Sequence, residues 1–316
     1  MPRWAPFAIA LVLAGCTAEM VTPAPRATGL EWRQLAPMPT PRTEVAAAVA
    51  DGNIVVAGGF APGGTVPTVE VYDAAADEWT TGADLPVGVN HAMAASFEGE
   101  VYVFGGTLGD GEISDAAFVL RDGAWQPLPP MPEPRTAGGA AVAGELIYVV
   151  GGVGTEGVAE RTLVLDPAAK RWSATEGLGR PREHMGVAAD GDRVYAVGGR
   201  AGSLAGFPDV EVLDPGTGSW TPLPDLPTPR GGMAAAATSN GYVVAAGGEE
   251  EGSTFDEVEA LDVDAERWLA LPPMPTARHG VGVVAVGTTV YVIAGGVEPG
   301  LSFSGAVEAI DLASLG

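Results

Sequence analysis

The sequence predicts an all-β protein, a propeller of six four-stranded blades, and three observations carry that reading. Six Gly-Gly pairs recur: Gly58-Gly59, Gly105-Gly106, Gly151-Gly152, Gly198-Gly199, Gly247-Gly248 and Gly295-Gly296. Their first members lie 47, 46, 47, 49 and 48 residues apart, a period that with strand-like content points to a propeller or array. Each pair closes a short apolar run such as Val101-Tyr102-Val103-Phe104 or Val290-Tyr291-Val292-Ile293. A tryptophan then follows at Trp79, Trp125, Trp172, Trp220 and Trp268.

The elements of one repeat follow in order. An Ala/Val/Gly-rich segment comes first, as in residues 44–50 or 280–286, and small residues suit an inner strand crowded around an axis. A turn comes next, for example Asp51-Gly52-Asn53 or Ser239-Asn240-Gly241, where Asp-Gly and Asn-Gly supply the positive φ of a tight hairpin. The apolar run is the second strand, short and bounded by turn residues. The Gly-Gly pair is backbone geometry, positive φ or close approach of a neighbouring chain. About ten residues on, an alternating strand appears, as in Val69-Glu70-Val71-Tyr72-Asp73 and Val307-Glu308-Ala309-Ile310-Asp311. The tryptophan marks the fourth strand, and a proline-rich exit such as Leu271-Pro272-Pro273-Met274-Pro275 leads onward. Four strands per repeat make one blade.

This combination resembles the kelch repeat family, over residues 31–316. The resemblance rests on the Gly-Gly after an apolar strand, the spaced Tyr/Leu-Asp and Trp, and the "PMPTPR"-like link. The second repeat departs most, with Ala117-Phe118-Val119-Leu120-Arg121 replacing the Val-Glu-x-x-Asp strand.

The chain ends explain each other. The last repeat stops at Asp311 without its tryptophan, while the chain opens on a lone outer strand, Glu31-Trp32-Arg33-Gln34-Leu35. Residues 31–36 are therefore expected to complete blade six and close the ring, removing exposed sheet edges.

Residues 1–15 read as a leader: a basic start at Arg3 and an apolar stretch from Trp4 to Ala14, too short to span a bilayer as a helix. Leu13-Ala14-Gly15-Cys16 resembles a bacterial lipobox, which implies that Cys16, the chain's only cysteine, carries lipid. A plain secretory signal with an incidental cysteine is the alternative. Residues 16–30 read as a flexible tether. The expected location is the cell envelope, on the outer membrane or its periplasmic side if the source has two membranes, since Thr17 is not the aspartate that in such signals retains lipoproteins at an inner membrane.

The net charge is −24, with one lysine, Lys170. A chain this acidic repels nucleic acid and anionic head groups, so nucleic-acid binding is excluded. Solubility of an exported protein accounts for most of the acidity.

Candidate site residues cluster in the segments leading into the inner strands. Arg42, Arg135, Arg182, Arg230 and Arg278 share one repeat position, with Val89 there in blade two. His91, His184 and His279, the only histidines, sit beside it, as do Glu44 and Glu183. Converging guanidinium groups bind carboxylates or phosphates, so these arginines and histidines are ligand-binding candidates. The competing reading makes the arginines anchors of neighbouring loops. The histidines are expected to stay too far apart around the ring for bonds of about 2 Å to one metal, and no metal or cofactor is expected. The acidic loop Glu249-Glu250-Glu251-Gly252 reads as a solvated rim.

Other motifs fail on context. Gly152-Val153-Gly154-Thr155-Glu156-Gly157 fits G-x-G-x-x-G but precedes a strand. Asp262-Val263-Asp264 begins like a calcium loop, but Arg267 stands at the required glycine. Kelch-type copper radical oxidases need a tyrosine cross-linked to a cysteine, and here the only cysteine is the lipid site.

Two functional readings remain. One is a monomeric binding protein for a protein or carbohydrate ligand. The other resembles the exported kelch-type sialic acid epimerases of bacteria: Arg182 and its neighbours would hold a carboxylate, with Glu44, Glu183 or His184 as acid–base groups. An enzyme predicts a concave mouth with a carboxylate of raised pKa facing the arginines. A binding module predicts arginines already paired and a shallow face.

Overall fold

The computed structural model describes Met1 and residues 24–315. The remainder of the expected leader, and Cys16, lie outside the described residues. Six four-stranded antiparallel sheets form the blades. Blade one runs outward through Ala46–Ala50, Asn53–Ala57, Val69–Asp73 and Glu78–Thr81. Its register pairs Val49 with Ile54 and Val55 with Val71. Apart from one 3₁₀ turn at Ala313–Leu315, regular structure among the described residues is strand.

The core lies between blades. The second strands bury both faces, and each apolar cluster spans two neighbouring blades. Tyr72, Ile54 and Val56 of blade one meet Tyr291, Ile293 and Ala309 of blade six. Ala48, Val55 and Val69 meet Val101 and Val103 of blade two. Burial on both sides explains why the second strands read as continuous apolar runs.

The ring closes as expected. Trp32–Gln34 forms the outer strand of blade six, with Trp32 opposite Ile310 and Gln34 opposite Glu308. Trp32 also supplies the missing sixth tryptophan. Each outer-strand indole donates to a carbonyl of the preceding blade's exit segment: Trp79 to Ala36 and Trp172 to Pro129 at 2.9 Å, and Trp32 to Pro272 at 2.9 Å.

Two details depart from the reading above. Residues 24–30 do not hang free: Ala27 N–H and Pro25 C=O pair with Ala270 at the outer edge of blade five, and Leu30 is buried. The exposed edge of that blade attracts the segment. In blade six the structural counterpart of the glycine pair is Ala294-Gly295, one residue earlier than the sequence pair. Gly295 N–H takes the Arg42 carbonyl, as Gly106 N–H takes that of Arg135.

That contact explains the glycines. A Cβ on Gly105, whose φ is +59°, would sit 2.1 Å from the Arg135 carbonyl oxygen. Gly105→Ala should therefore cost several kcal/mol (~3 or more, combining left-handed strain with a backbone clash), read by denaturant melts. Ala294 holds φ 61° with a side chain, so Ala294→Gly should be neutral or stabilising by about 0.5–1 kcal/mol. A loss of stability in Ala294→Gly would show that the clash alone, not the backbone angle, demands glycine.

Candidate functional site

The strand count of a blade puts the segments leading into the inner strands and the loops after the second strands on one face, around the mouth of the axial channel. There the backbone closes on itself. His91 N–H donates to Glu44 C=O (3.0 Å), Ala137 to His91 (3.0 Å), His184 to Ala137 (2.7 Å), Gly232 to His184 (2.9 Å), Gly280 to Gly232 (2.9 Å) and Glu44 to Gly280 (2.8 Å). One residue per blade thus forms a hydrogen-bonded collar. All six are left-handed, with φ of 54°, 53°, 55°, 50°, 70° and 57° in blade order. Glycine fills two of these positions. Glu44, His91, Ala137 and His184 hold the conformation at a cost of about 1 kcal/mol or more each.

The collar brings together side chains far apart in the chain. Glu44 lies 3.3 Å from His91 Nε2 and 3.4 Å from His279 Nδ1. His279 Nδ1 lies 3.6 Å from Glu249, which pairs with Arg200 at 2.8 Å. Arg200 Nε lies 3.5 Å from Glu183, whose other oxygen contacts His184 Nδ1. The His184 and His91 rings meet edge to face, centroids 4.9 Å apart, which completes the circuit.

Electrostatics follows from burial and neighbours. Burial pushes the Glu44 carboxyl up, but His91, His279 and His184 in their protonated forms outweigh it and hold the group well below the usual carboxylate range. Burial pushes His184 down to about 3, so it is neutral near pH 7. Burial lowers His279 too, yet Glu44 and Glu249 raise it overall. Below the mouth, the inner strands of all six blades enclose a channel cavity of about 120 Å³.

The arginines are not at this site, which corrects the expectation of a ligand-binding ring. Arg42, Arg135, Arg182, Arg230 and Arg278 are each 0% exposed. Four pair with the glutamate of their own third strand: Arg42–Glu70 (2.7 Å), Arg182–Glu211 (2.5 Å), Arg230–Glu259 (2.5 Å) and Arg278–Glu308 (2.8 Å). Arg135 pairs with Glu133 instead, at 2.9 Å. Each also donates to the carbonyl that begins the glycine-pair turn, for example Arg230 Nε to Gly247 O at 2.8 Å. Buried and ion-paired inside their blades, with Nε of Arg42 and Arg135 the nitrogens left without a partner, these guanidinium groups are closed off from a ligand at the mouth. The pairing was legible in the repeats: blade two lacks the arginine and the glutamate together, with Val89 and Phe118 in their places.

The expectation that the histidines stay apart is also overturned for two of them. Glu44, His91 and His184 each bring a ligand atom within 4.8 Å of the others. The collar is narrow because small inner-strand residues let the blades approach closely. Sequence reasoning missed Arg200 and Glu249 as site residues. Both occupy the position after the glycine pair, elsewhere Phe60, Thr107 and Val153, so opposite charges at equivalent places in adjacent repeats were the available signal.

Comparison with known proteins agrees with this architecture. The family model for the KLHDC2/KLHL20/DRC7 Kelch-repeats domain matches residues 91–296, and the Kelch motif matches 41–86. The chain belongs to the kelch-repeat family. Kelch-like protein terF of Aspergillus terreus is 32% identical over 180 residues, covering 51% of this chain and 39% of that protein. Beta-scruin of Limulus polyphemus is 27% identical over 183 residues, covering 54% and 20%. The chain spans less than half the length of these relatives. Among solved structures, that of YjhT superposes with a TM-score of 0.75 at 19% identity, covering 86% of this chain and 95% of that one. At that identity the likeness is one of fold. This kelch propeller presents its mouth and rim loops on a single face.

Proposed function

We propose that this kelch propeller is a non-enzymatic binding module, exported and held at the cell envelope by lipid on Cys16, which presents its mouth-bearing face to a protein segment or glycan. The observation that carries the reading is the character of that face. The exposed large apolar side chains of residues 24–315 are Val87, Val297 and Leu301, and all three lie in loops on this side. Leu301, the most exposed of them, adjoins the acidic 249–251 loop, where Gly300 N–H donates to Glu249 at 3.1 Å. The channel cavity, at about 120 Å³, is well below the roughly 300–1,000 Å³ of small-molecule pockets.

The sugar-acid isomerase reading loses its carboxylate clamp, because Arg182 is enclosed and paired with Glu211. Its acid–base candidates Glu44, Glu183 and His184 do line the mouth, but Glu44 is held low rather than raised.

Two measurements test the proposal. A photo-crosslinker at Leu301 should capture a specific envelope partner, while one at Lys170, on the opposite face, should not. Equal capture from both sites, or turnover of a sugar acid by the purified protein, would defeat it. Cys16→Ser should move the protein from the membrane to the soluble fraction. Retention in the membrane fraction would remove the lipid anchor from the reading.

A further inference from the structure

We infer that Glu44, His91 and His184 form a binding site for a borderline divalent metal ion of the Zn²⁺ class, set on the collar with an open position facing the channel. The inference is independent of what the rim binds.

The hydrogen-bond network fixes which atoms are offered. Asn90 Nδ2 donates to the Thr107 carbonyl (3.0 Å) and to Thr65 Oγ1 (2.8 Å). A carbonyl only accepts, so the Asn90 oxygen must face His91, where it lies 2.5 Å from Nδ1. His91 therefore carries a proton on Nδ1, and its Nε2 faces Glu44, 3.3 Å away. A carboxylate and a ring nitrogen at that distance share a cation, which is either a second imidazole proton or a metal ion. Bonds of about 2.0–2.1 Å to a tetrahedral metal place neighbouring donor atoms about 3.3–3.4 Å apart, which is the separation observed.

His184 lies beside it with a different support: its Nδ1 is in contact with Glu183, itself 3.5 Å from Arg200 Nε, and makes no hydrogen bond. Imidazoles oriented by a carboxylate or amide on the far nitrogen are the usual supporting arrangement of a metal site. One ring nitrogen of His184 lies within 4.8 Å of ligand atoms of Glu44 and His91, within reach of a side-chain rotation. Charge agrees: the mouth holds three carboxylates, Glu44, Glu183 and Glu249, against the guanidinium of Arg200 and, when protonated, His279. It remains net negative. Two imidazoles and one carboxylate suit Zn²⁺, Co²⁺ or Fe²⁺ rather than Ca²⁺ or Mg²⁺, which want more oxygen ligands.

The test uses the untagged purified protein, stripped with EDTA and titrated with ZnCl₂ by calorimetry and with CoCl₂ by visible absorption. One ion per chain is expected, with Co²⁺ d–d bands of a low-coordinate nitrogen/oxygen site. His91→Ala and His184→Ala should each weaken binding by more than the ~10–100-fold typical of outer-shell partners, and Asn90→Ala by about 10-fold. Glu183→Gln should weaken it less than either histidine variant. The cobalt spectrum of the unmutated protein decides the matter even if a variant fails to fold. No saturable Zn²⁺ or Co²⁺ binding, which would leave a second proton on His91 as the bridging cation, overturns the inference. So does binding that survives in folded His91→Ala and His184→Ala.

Discussion

Arg230→Ala should destabilise the propeller by about 3–5 kcal/mol, the usual cost of removing one partner of a buried ion pair. Glu259, 4% exposed, would keep its charge without Arg230, and four carbonyls would lose a donor: Gly247, Thr228, Ala245 and Glu257. In a domain of this size each kcal/mol moves the melting midpoint by roughly 2–4 °C, so a fall near 10 °C is expected. Blade two shows how the pair can be replaced, with Val89 and Phe118 in the two positions. Arg230→Val with Glu259→Phe should therefore recover about 1–3 kcal/mol relative to the sum of the single changes. A double-mutant cycle by urea unfolding measures this. Strict additivity would mean that the arginine acts through the carbonyls alone and that the ion pair contributes nothing.

Deleting residues 31–36 should have an effect of similar or greater size. The segment supplies the outer strand of blade six and the Trp32 indole that reaches Pro272 at 2.9 Å. Without it, the edge of Val307–Asp311 is bare and the cluster around Val307, Ala309 and Ile310 loses cover. The melting midpoint should fall by on the order of 10 °C, and the exposed edge should promote concentration-dependent association. A synthetic peptide spanning residues 24–36 should reverse both effects. An unchanged melt would show that the ring holds through its inner strands and collar alone.

Both predictions rest on features of differing legibility. Blade number, strand order and ring closure could be read along the chain, because a repeat whose interior lies between neighbours imposes the same apolar pattern each time. Trp32 is an example: a lone tryptophan at the start and a missing one at the end imply each other. The Arg–Glu pairing was available in the joint loss at Val89 and Phe118, yet the arginines read more readily as ligands. Spacing identifies a shared position in the repeat but not the depth of the side chain there.

Alternation, turns and period are local or repeating properties, so the scaffold and the face on which the candidate residues gather are written along the chain. The partners and burial of those residues follow instead from how the blades pack. The radius of the collar depends on how closely six Ala/Gly-rich inner strands approach, which no single repeat encodes. Its left-handed residues set the direction of Glu44, His91 and His184 toward one another. The same packing encloses the five arginines within their blades, where burial favours partners inside the protein over a ligand outside it.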